Sequence, residues 1–271
     1  MSLDYQSPNQ GVNAGATVSA LLGRMRSFPW MRRHRNAAVP AIIGALGFAR
    51  GAPASAETVE YTTSDDAGIV ADFYPAEGTS REGIVLFHRE GSTALEFGAL
   101  PSALAAQGFH VLVPDLRGHG RSGAEGRSPR AADASPWLRD GPAAIAYLRS
   151  VLGQEARIGL VGIGRGAEIA ARTIGGSSAG GGALILIDPG VALTGLAVLQ
   201  PGTGGTDRPV LIVAGREDAR ARHTARSLYL LRPHRCHLWL LDGGARIVDR
   251  LLERADFAVD LAAWVANATA G

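Results

Sequence analysis

The chain has 271 residues, of which 46% are hydrophobic and 19% charged, and its formal net charge is +2. This composition is typical of a packed globular protein and excludes a wholly disordered chain. The 27 Lys and Arg residues are scattered along the sequence. Because they do not form the dense basic run that is typical of a nucleic-acid groove, we expect no nucleic-acid partner.

Residues 31–56 have the pattern of an export signal. A positively charged start at residues 31–35 is followed by an apolar stretch at 37–49 and by Ala-Ser-Ala at 54–56, which fits a cleavage site. The apolar stretch is shorter than the roughly 20 residues that span a bilayer as a helix. We therefore expect a signal peptide over residues 31–56 and a periplasmic or secreted protein. Membrane contact is expected only if this segment is retained as an anchor.

Residues 1–30 precede this signal and are polar, with several Gly and Ser residues. Two interpretations stay open: a disordered extension, or a start codon assigned too early, with Met25 or Met31 as the true beginning.

From Glu57 to Gly271 the sequence predicts one domain of alternating strands and helices. A hairpin is expected from strands at 58–63 and 69–74, followed by strands at 83–87, 110–113, 157–161, 183–187, 209–214 and 236–241 and by helices at 93–107, 140–152, 167–174, 221–231 and 255–267. Uniformly apolar strands between amphipathic helices indicate a three-layer α/β fold with a mostly parallel sheet. The N-terminal hairpin is expected to be antiparallel, and residues 124–136 are expected to form at most a short cap.

Two local features refine these elements. Thr93 and Glu96 have the spacing of a capping box at the start of the helix at 93–107. Cys236 is the only cysteine and lies in an apolar run, which predicts a buried strand and excludes an intrachain disulfide.

The strand at 157–161 runs into Gly162-Ile163-Gly164-Arg165-Gly166 and then into a helix. Strand, sharp turn and helix are the context of the nucleophile elbow G-x-S-x-G, here with glycine in place of serine. Three further loops come at the expected places in the chain: 86–92 (Leu-Phe-His-Arg-Glu-Gly-Ser), 113–123 (Val-Pro-Asp-Leu-Arg-Gly-His-Gly-Arg-Ser-Gly) and 209–218 (Pro-Val-Leu-Ile-Val-Ala-Gly-Arg-Glu-Asp). Together they resemble the α/β-hydrolase family, and more closely its small dienelactone-hydrolase-like esterases with an H-x-x-G-S loop.

This resemblance implies the place of each catalytic group. Gly164 takes the position of the nucleophile and Asp218 that of the triad acid, while Arg246, in the loop after the last strand, takes that of the histidine. The oxyanion loop is assigned to His88, Arg89 and Arg165, and the loop that contains His119 borders the pocket in the family.

Glycine has no side chain that can attack a carbonyl group, and arginine stays protonated at neutral pH and cannot act as a base. We therefore expect an inactive member of the family that binds a protein partner or a small anionic ligand, or is a subunit of an assembly. Candidate ligand-binding residues are Arg246, Asp218, His88 and His119. No metal and no cofactor are expected, since His234 and His237 lie in a turn and a strand without a carboxylate or cysteine cluster.

Several alternatives stay open from sequence alone. His88 is also explained as a structural histidine bonded to backbone, and Asp218 either ends a strand in a turn or pairs with Arg246. Ser92 is a displaced nucleophile or helps to start a helix. At the level of function, a low-activity or unconventional serine-type hydrolase acting on small esters is one rival. A dinucleotide-binding protein is another, because the turn at 162–166 is followed by Asp188 at the end of the next strand.

Overall fold

The computed structural model describes residues 55–123, 136–175, 181–190, 193, 208–234, 236–243 and 255–269. These residues belong to one compact unit that spans Gly51–Gly271. In this part of the chain no helix combines the length and the apolar character needed to cross a membrane. The predicted extension, nearly all of the predicted signal peptide and residues 124–135 of the predicted cap lie outside the described residues, so these assignments stay predictions.

An eight-stranded sheet forms the centre of the domain. Its strands are β1 (Glu57–Thr62), β2 (Gly68–Tyr74), β3 (Glu82–Phe87), β4 (His110–Pro114), β5 (Arg157–Ile163), β6 (Gly181–Ile187), β7 (Val210–Gly215) and β8 (Cys236–Leu241). Their order in the sheet is β1-β2-β4-β3-β5-β6-β7-β8. The pairs β1–β2 and β2–β4 are antiparallel, and every other pair is parallel. The predicted N-terminal hairpin and mostly parallel sheet are thus confirmed.

Helices cover both faces of this sheet. They are α1 (Leu100–Ala105), α2 (Asp140–Leu152), α3 (Arg165–Gly175), α4 (Ala219–Leu231) and α5 (Ala255–Thr269). Apolar side chains of α2, α3 and α4 share one buried cluster, and those of α1 and α5 share a second. Because successive side chains of a strand point to opposite faces, a strand buried on both faces is apolar along its whole length. The three-layer architecture follows, as predicted.

The predicted helix at 93–107 was wrong in its extent and in its cap. The structure has a 3₁₀ turn at Ala94–Phe97 and then α1, separated by Gly98 at φ 50°. Thr93 makes no side-chain capping hydrogen bond. Instead, Asp115 Oδ1 accepts a hydrogen bond from the Ala94 N–H at 2.7 Å. The left-handed glycine ends the first turn, so a continuous helix cannot form.

A buried ion-pair network joins the β1–β2 turn to the loop after β4 and to the start of α2. The Arg117 side chain bonds Asp140 through Nε at 2.7 Å and Asp65 through Nη1 at 2.8 Å and Nη2 at 3.0 Å. Asp140 is fully buried, and burial raises the pKa of its carboxyl group. The Arg117 side chain, together with Thr63, holds the pKa of Asp65 well below its ordinary value. This network fixes the loop that carries Arg117 and His119.

Candidate functional site

The carboxyl ends of β3 and β5 meet at the topological switch point of the sheet. The chain passes from β3 to β4 on one side and from β5 to β6 on the other, as the strand order requires. In parallel α/β sheets, ligands bind in the crevice at such a point. Gly164 follows β5 and His88 follows β3, so the structure brings two of the predicted site residues together there.

The turn from β5 into α3 has the form of a nucleophile elbow. Gly164 adopts φ 54°, and its N–H donates a hydrogen bond to Ile187 O at 3.1 Å. A Cβ at Gly162 would lie 2.2 Å from Gly166 O, and a Cβ at Gly166 would lie 2.1 Å from Phe87 O. These contacts are too short for any side chain, so both outer glycines are required by packing.

The apex of the turn differs from its flanks. A Cβ at Gly164 would meet only the Arg89 Cβ, at 3.4 Å, which is an ordinary contact distance. The left-handed φ disfavours a side chain by about 1–2 kcal/mol, but the surroundings leave space for one. A side chain at position 164 would therefore fit without a steric clash, although the sequence has glycine there.

His88 lies in the loop after β3 and is fully buried. Its Nδ1 lies 2.7 Å from Arg89 O and its Nε2 lies 2.9 Å from Leu116 N. We assign Nδ1 as the donor and Nε2 as the acceptor, because a backbone carbonyl can only accept and a backbone N–H can only donate. Burial lowers the pKa of His88 to about 4. Both nitrogens are occupied by backbone, which argues against His88 as a ligand-binding residue.

This environment makes stability depend on the charge of His88. The folded protein keeps the imidazole neutral down to a pKa of about 4, whereas the unfolded chain takes up a proton near pH 6.5. The unfolded state thus binds more protons in this window, and the free energy of unfolding falls as the pH drops from about 6.5 to 4, by at most about 3 kcal/mol from this group.

We expect His88→Gln to show a weaker loss of stability over this pH range than the wild type. His223→Gln is the matched control, because it is the same substitution at an exposed histidine. Urea unfolding curves at pH 7, 5.5 and 4.5 measure the effect. Equal pH dependence in His88→Gln and the wild type would contradict the assignment of a neutral buried imidazole.

His119 connects the loop after β3 to the loop after β4. Its Nε2 accepts a hydrogen bond from Gly91 N at 3.0 Å, and its Nδ1 lies 3.1 Å from Arg117 O. The ring packs edge-on against His88 and against Trp137, with centroid distances of 5.3 and 5.6 Å. His119 therefore holds the two loops together, and a ligand would have to displace backbone to reach its nitrogens.

Two arginines predicted for the oxyanion loop are held by carboxylates. Arg89 forms an ion pair with Glu96, which also accepts a hydrogen bond from the Arg89 N–H at 2.9 Å. Arg165 bonds Glu168 at 2.8 Å and lies 3.7 Å from Glu90. These ion pairs balance the positive charge beside Gly164, so the two arginines do not make this place strongly cationic.

Trp137 packs between His119 and Arg165 and was not predicted as a site residue from the sequence. Its side chain is buried, and the Arg165 guanidinium carbon lies 5.3 Å from its ring centroid, in a cation–π contact. The indole N–H has no hydrogen-bond partner in the described part of the chain. The only sequence signal for Trp137 is a large aromatic residue just before the helix that starts at Asp140.

Asp115, which directly follows β4, stabilises the neighbouring loops, and this role was not predicted from the sequence. Its carboxylate accepts hydrogen bonds from the Ala94 N–H and from the Arg121 N–H and Nε. Burial alone would raise the pKa of Asp115, but these hydrogen bonds outweigh burial and the pKa is lowered. Asp115 thus stays ionised and anchors the loop after β3.

Asp218 follows β7 and is the N-cap of α4. Its Oδ1 accepts hydrogen bonds from Arg220 N at 3.0 Å and Ala221 N at 2.9 Å. Such a cap stabilises a helix by about 1 kcal/mol, which accounts for an aspartate here without catalysis. Arg246 lies outside the described residues, so the predicted Asp218–Arg246 pair stays a prediction.

Asp188 ends β6 next to the elbow, since Ile163 and Ile187 are paired in the sheet. It is one of two described residues other than glycine with a positive φ, 48°. An acidic residue at the end of the next parallel strand is what dinucleotide binding requires. That alternative stays a prediction.

Metal-binding chemistry has no visible basis in the described ranges. There, no three His, Cys, Asp or Glu side chains come together as a possible metal site. His237 packs its ring edge-on against Trp264 at 5.8 Å.

Comparison with known proteins fits this geometry. The model of the family described as serine aminopeptidase, S33, matches residues 78–203, which contain β3, β4, β5 and the elbow. No curated protein is significantly similar to the chain in sequence.

Solved structures with the same architecture come from several microorganisms. An esterase from Pyrococcus furiosus is 18% identical, with a TM-score of 0.61 over 80% of this chain and 93% of its own. An alpha-beta serine hydrolase homologue from Coxiella burnetii is 18% identical, with a TM-score of 0.59 over 78% of this chain and 96% of its own. A putative alpha/beta hydrolase from Agrobacterium tumefaciens is 16% identical, with a TM-score of 0.61 over 79% and 98%. At this level of identity the similarity concerns the fold, and it agrees with the strand order and the elbow: the chain has the α/β-hydrolase fold.

Proposed function

We propose that this chain is a hydrolase-fold protein without serine-hydrolase activity, which acts by binding another molecule or as a subunit of an assembly. The observation that carries the proposal is Gly164 at the apex of an otherwise complete elbow, at φ 54°. Acyl transfer by this fold needs a nucleophilic oxygen or sulfur at that atom position. Glycine supplies neither.

The histidines beside the crevice support the same proposal. His88 and His119 each use both ring nitrogens for hydrogen bonds to backbone. A nucleophile elsewhere in the crevice would need a free base within hydrogen-bond reach. The Ser92 hydroxyl has no hydrogen bond to a histidine among the described residues, and its N–H donates to Arg89 O at 3.2 Å.

The remaining parts of the proposal rest on the sequence. We propose that Arg246 replaces the catalytic histidine and pairs with Asp218, and that the H-x-x-G-S loop at 88–92 relates the chain to dienelactone-hydrolase-like esterases. Export to the periplasm or beyond rests on the signal-like pattern of residues 31–56. The ligand classes we propose are a protein partner and a small anionic molecule.

The test is hydrolysis of para-nitrophenyl acetate and butyrate by the purified full chain. We expect the wild type to hydrolyse at the rate of buffer, and Gly164→Ser, Arg246→His to exceed the wild type by at least about tenfold, since a serine with a base is the minimum for acyl-enzyme formation. The matched control is Gly164→Ala, Arg246→His, which has the same backbone change without the hydroxyl.

Labelling with a fluorophosphonate probe gives a second measurement. Only the Gly164→Ser, Arg246→His variant is expected to gain the mass of the probe, and the label should map to position 164. Turnover by the wild type, or labelling of the wild type at any serine, would contradict the proposal and favour the second candidate function. That candidate is a weak esterase, which the esterases among the structural neighbours make the natural alternative.

A further inference from the structure

Strand β8 is an edge of the sheet and has the features of a strand that pairs with another chain. Within the described elements it pairs with β7 alone. Its sequence, Cys-His-Leu-Trp-Leu-Leu, has no Lys, Arg, Asp, Glu or Pro, and its residues Leu238 to Leu241 are half-exposed. Edge strands are usually protected by charged residues or proline, because unpaired backbone groups attract other strands.

The opposite edge has that protection. Strand β1 carries Glu57 and Glu60, both exposed. The two edges of the sheet thus differ: β1 contributes charged side chains of its own, whereas β8 contributes none.

The hydrogen bonds to β7 establish which residues of β8 face outward. Arg216 N donates to Leu241 O at 2.7 Å, so Leu241 and, by alternation, Trp239 and His237 bond to β7. The backbone groups of Cys236, Leu238 and Leu240 therefore point away from the sheet.

Two of these six outward groups already have partners. Cys236 N donates to Arg232 O at 3.0 Å, and Leu240 O accepts from the Arg216 guanidinium at 2.8 Å. Four groups are left without a hydrogen bond among the described residues: Cys236 C=O, Leu238 N–H, Leu238 C=O and Leu240 N–H.

We propose that β8 pairs antiparallel with β8 of a second copy of this chain, around a twofold axis at Leu238. In this register Leu238 N–H of each copy donates to Leu238 C=O of the other copy. Likewise, Leu240 N–H of each copy donates to Cys236 C=O of the other copy. All four available groups on each copy are used, and the two groups already bonded within the chain, Cys236 N–H and Leu240 C=O, are the ones that lie opposite each other.

Other registers fit less well. If the axis lay at Trp239, Leu238 N–H would face Leu240 C=O, which the Arg216 side chain already occupies. The side chains also favour the copy as the partner: Leu238, Trp239 and Leu240 would meet uncharged neighbours, so no like charges oppose each other within the strand pair. This proposal goes beyond loss of catalysis, because it names an assembly surface and its occupant.

Sedimentation velocity of the full chain, between about 1 and 100 µM, tests the proposal. We expect the wild type to double its mass as the concentration rises and Leu238→Pro to stay monomeric. Proline at 238 removes an N–H that faces away from the sheet, which an edge strand tolerates. Circular dichroism should show Leu238→Pro folded, whereas Trp239→Pro, which removes an N–H bonded to β7, should be strongly destabilised.

A cysteine crosslink tests the register. In a Cys236→Ser background, Leu238→Cys is expected to form a disulfide dimer under mild oxidation, because hydrogen-bonded antiparallel pairs have Cα atoms about 5.5 Å apart. His237→Cys in the same background is the control: it would lie opposite Trp239 of the second copy and should stay reduced.

A wild type that stays monomeric over the whole concentration range would overturn the proposal. This holds even if its β8 edge binds an extended peptide instead. So would a Leu238→Pro variant that dimerises like the wild type. Equal crosslinking at 237 and 238 would overturn the register. None of these results depends on ester hydrolysis, so failure of the dimer and failure of the proposed function are distinguishable.

Discussion

Replacing Gly166 by alanine is expected to lower the free energy of unfolding by about 3 kcal/mol or more. The added Cβ would lie 2.1 Å from Phe87 O and 2.6 Å from His88 O. Both contacts are with backbone of the strand β3 end and its loop, so no flexible side chain can move aside. Helix α3 would have to shift away from β3, which opens the packing between them.

The matched control is Gly164→Ala, two residues earlier in the same turn. Its Cβ would meet only the Arg89 Cβ at 3.4 Å, so the expected cost is the left-handed φ alone, about 1–2 kcal/mol. For a domain of this size, 1 kcal/mol shifts Tm by about 2–4 °C. Thermal and urea unfolding therefore separate the two variants, and equal destabilisation would mean that the close approach of α3 to β3 is wrong.

Arg117→Met is expected to destabilise the protein by about 3–5 kcal/mol, because it leaves a buried carboxylate without its partner. Asp140 is fully buried and bonds both the Arg117 N–H and the Arg117 Nε. The same change removes two hydrogen bonds from Asp65, which keeps those from Arg139 and Thr63. Arg157→Met is the control: its ion pair with Glu82 spans 3.7 Å and both side chains are partly exposed, so its loss should cost less than about 0.5 kcal/mol.

The pH dependence of Arg117→Met gives a further check. Burial already raises the pKa of Asp140, and loss of the guanidinium should raise it more. A folded state that binds a proton more tightly than the unfolded state loses stability as the pH rises through that window. The deficit of Arg117→Met relative to wild type should therefore be larger at pH 8 than at pH 5, and a deficit independent of pH would indicate that lost packing, not the buried charge, is responsible.

Much of the fold could be predicted from the sequence, because the spacing of apolar residues distinguishes most of its strands from its helices. The predicted helix at 140–152 and strand at 236–241 have the bounds that the structure gives to α2 and β8. The strand predicted at 157–161 ends two residues too early, because Gly162 and Ile163 continue β5 up to the elbow. Glycine is unfavourable within strands as an isolated residue, and only the close approach of the first turn of α3 to β5, where a Cβ at 162 would lie 2.2 Å from Gly166 O, explains why Gly162 belongs to one.

The site was less accessible, because its contacts join residues far apart in the chain. Thr93 and Glu96 have the spacing of a capping box, but Glu96 turns to Arg89, and Asp115 supplies the cap from another loop. The spacing of residues within one short segment does not identify hydrogen-bond partners in another loop. The glycine at the elbow was visible from the sequence, since strand, glycine-rich turn and helix follow one another directly.

The buried position of Cys236 in β8 gives the protein a built-in probe. It is the only cysteine in the chain, and burial raises the pKa of its thiol to about 11. The thiolate is the nucleophile that attacks an alkylating reagent, and the buried thiol of Cys236 reaches the reagent only when this strand separates from the sheet. The rate of alkylation in the native protein then reports how often the last strand opens, with no introduced label.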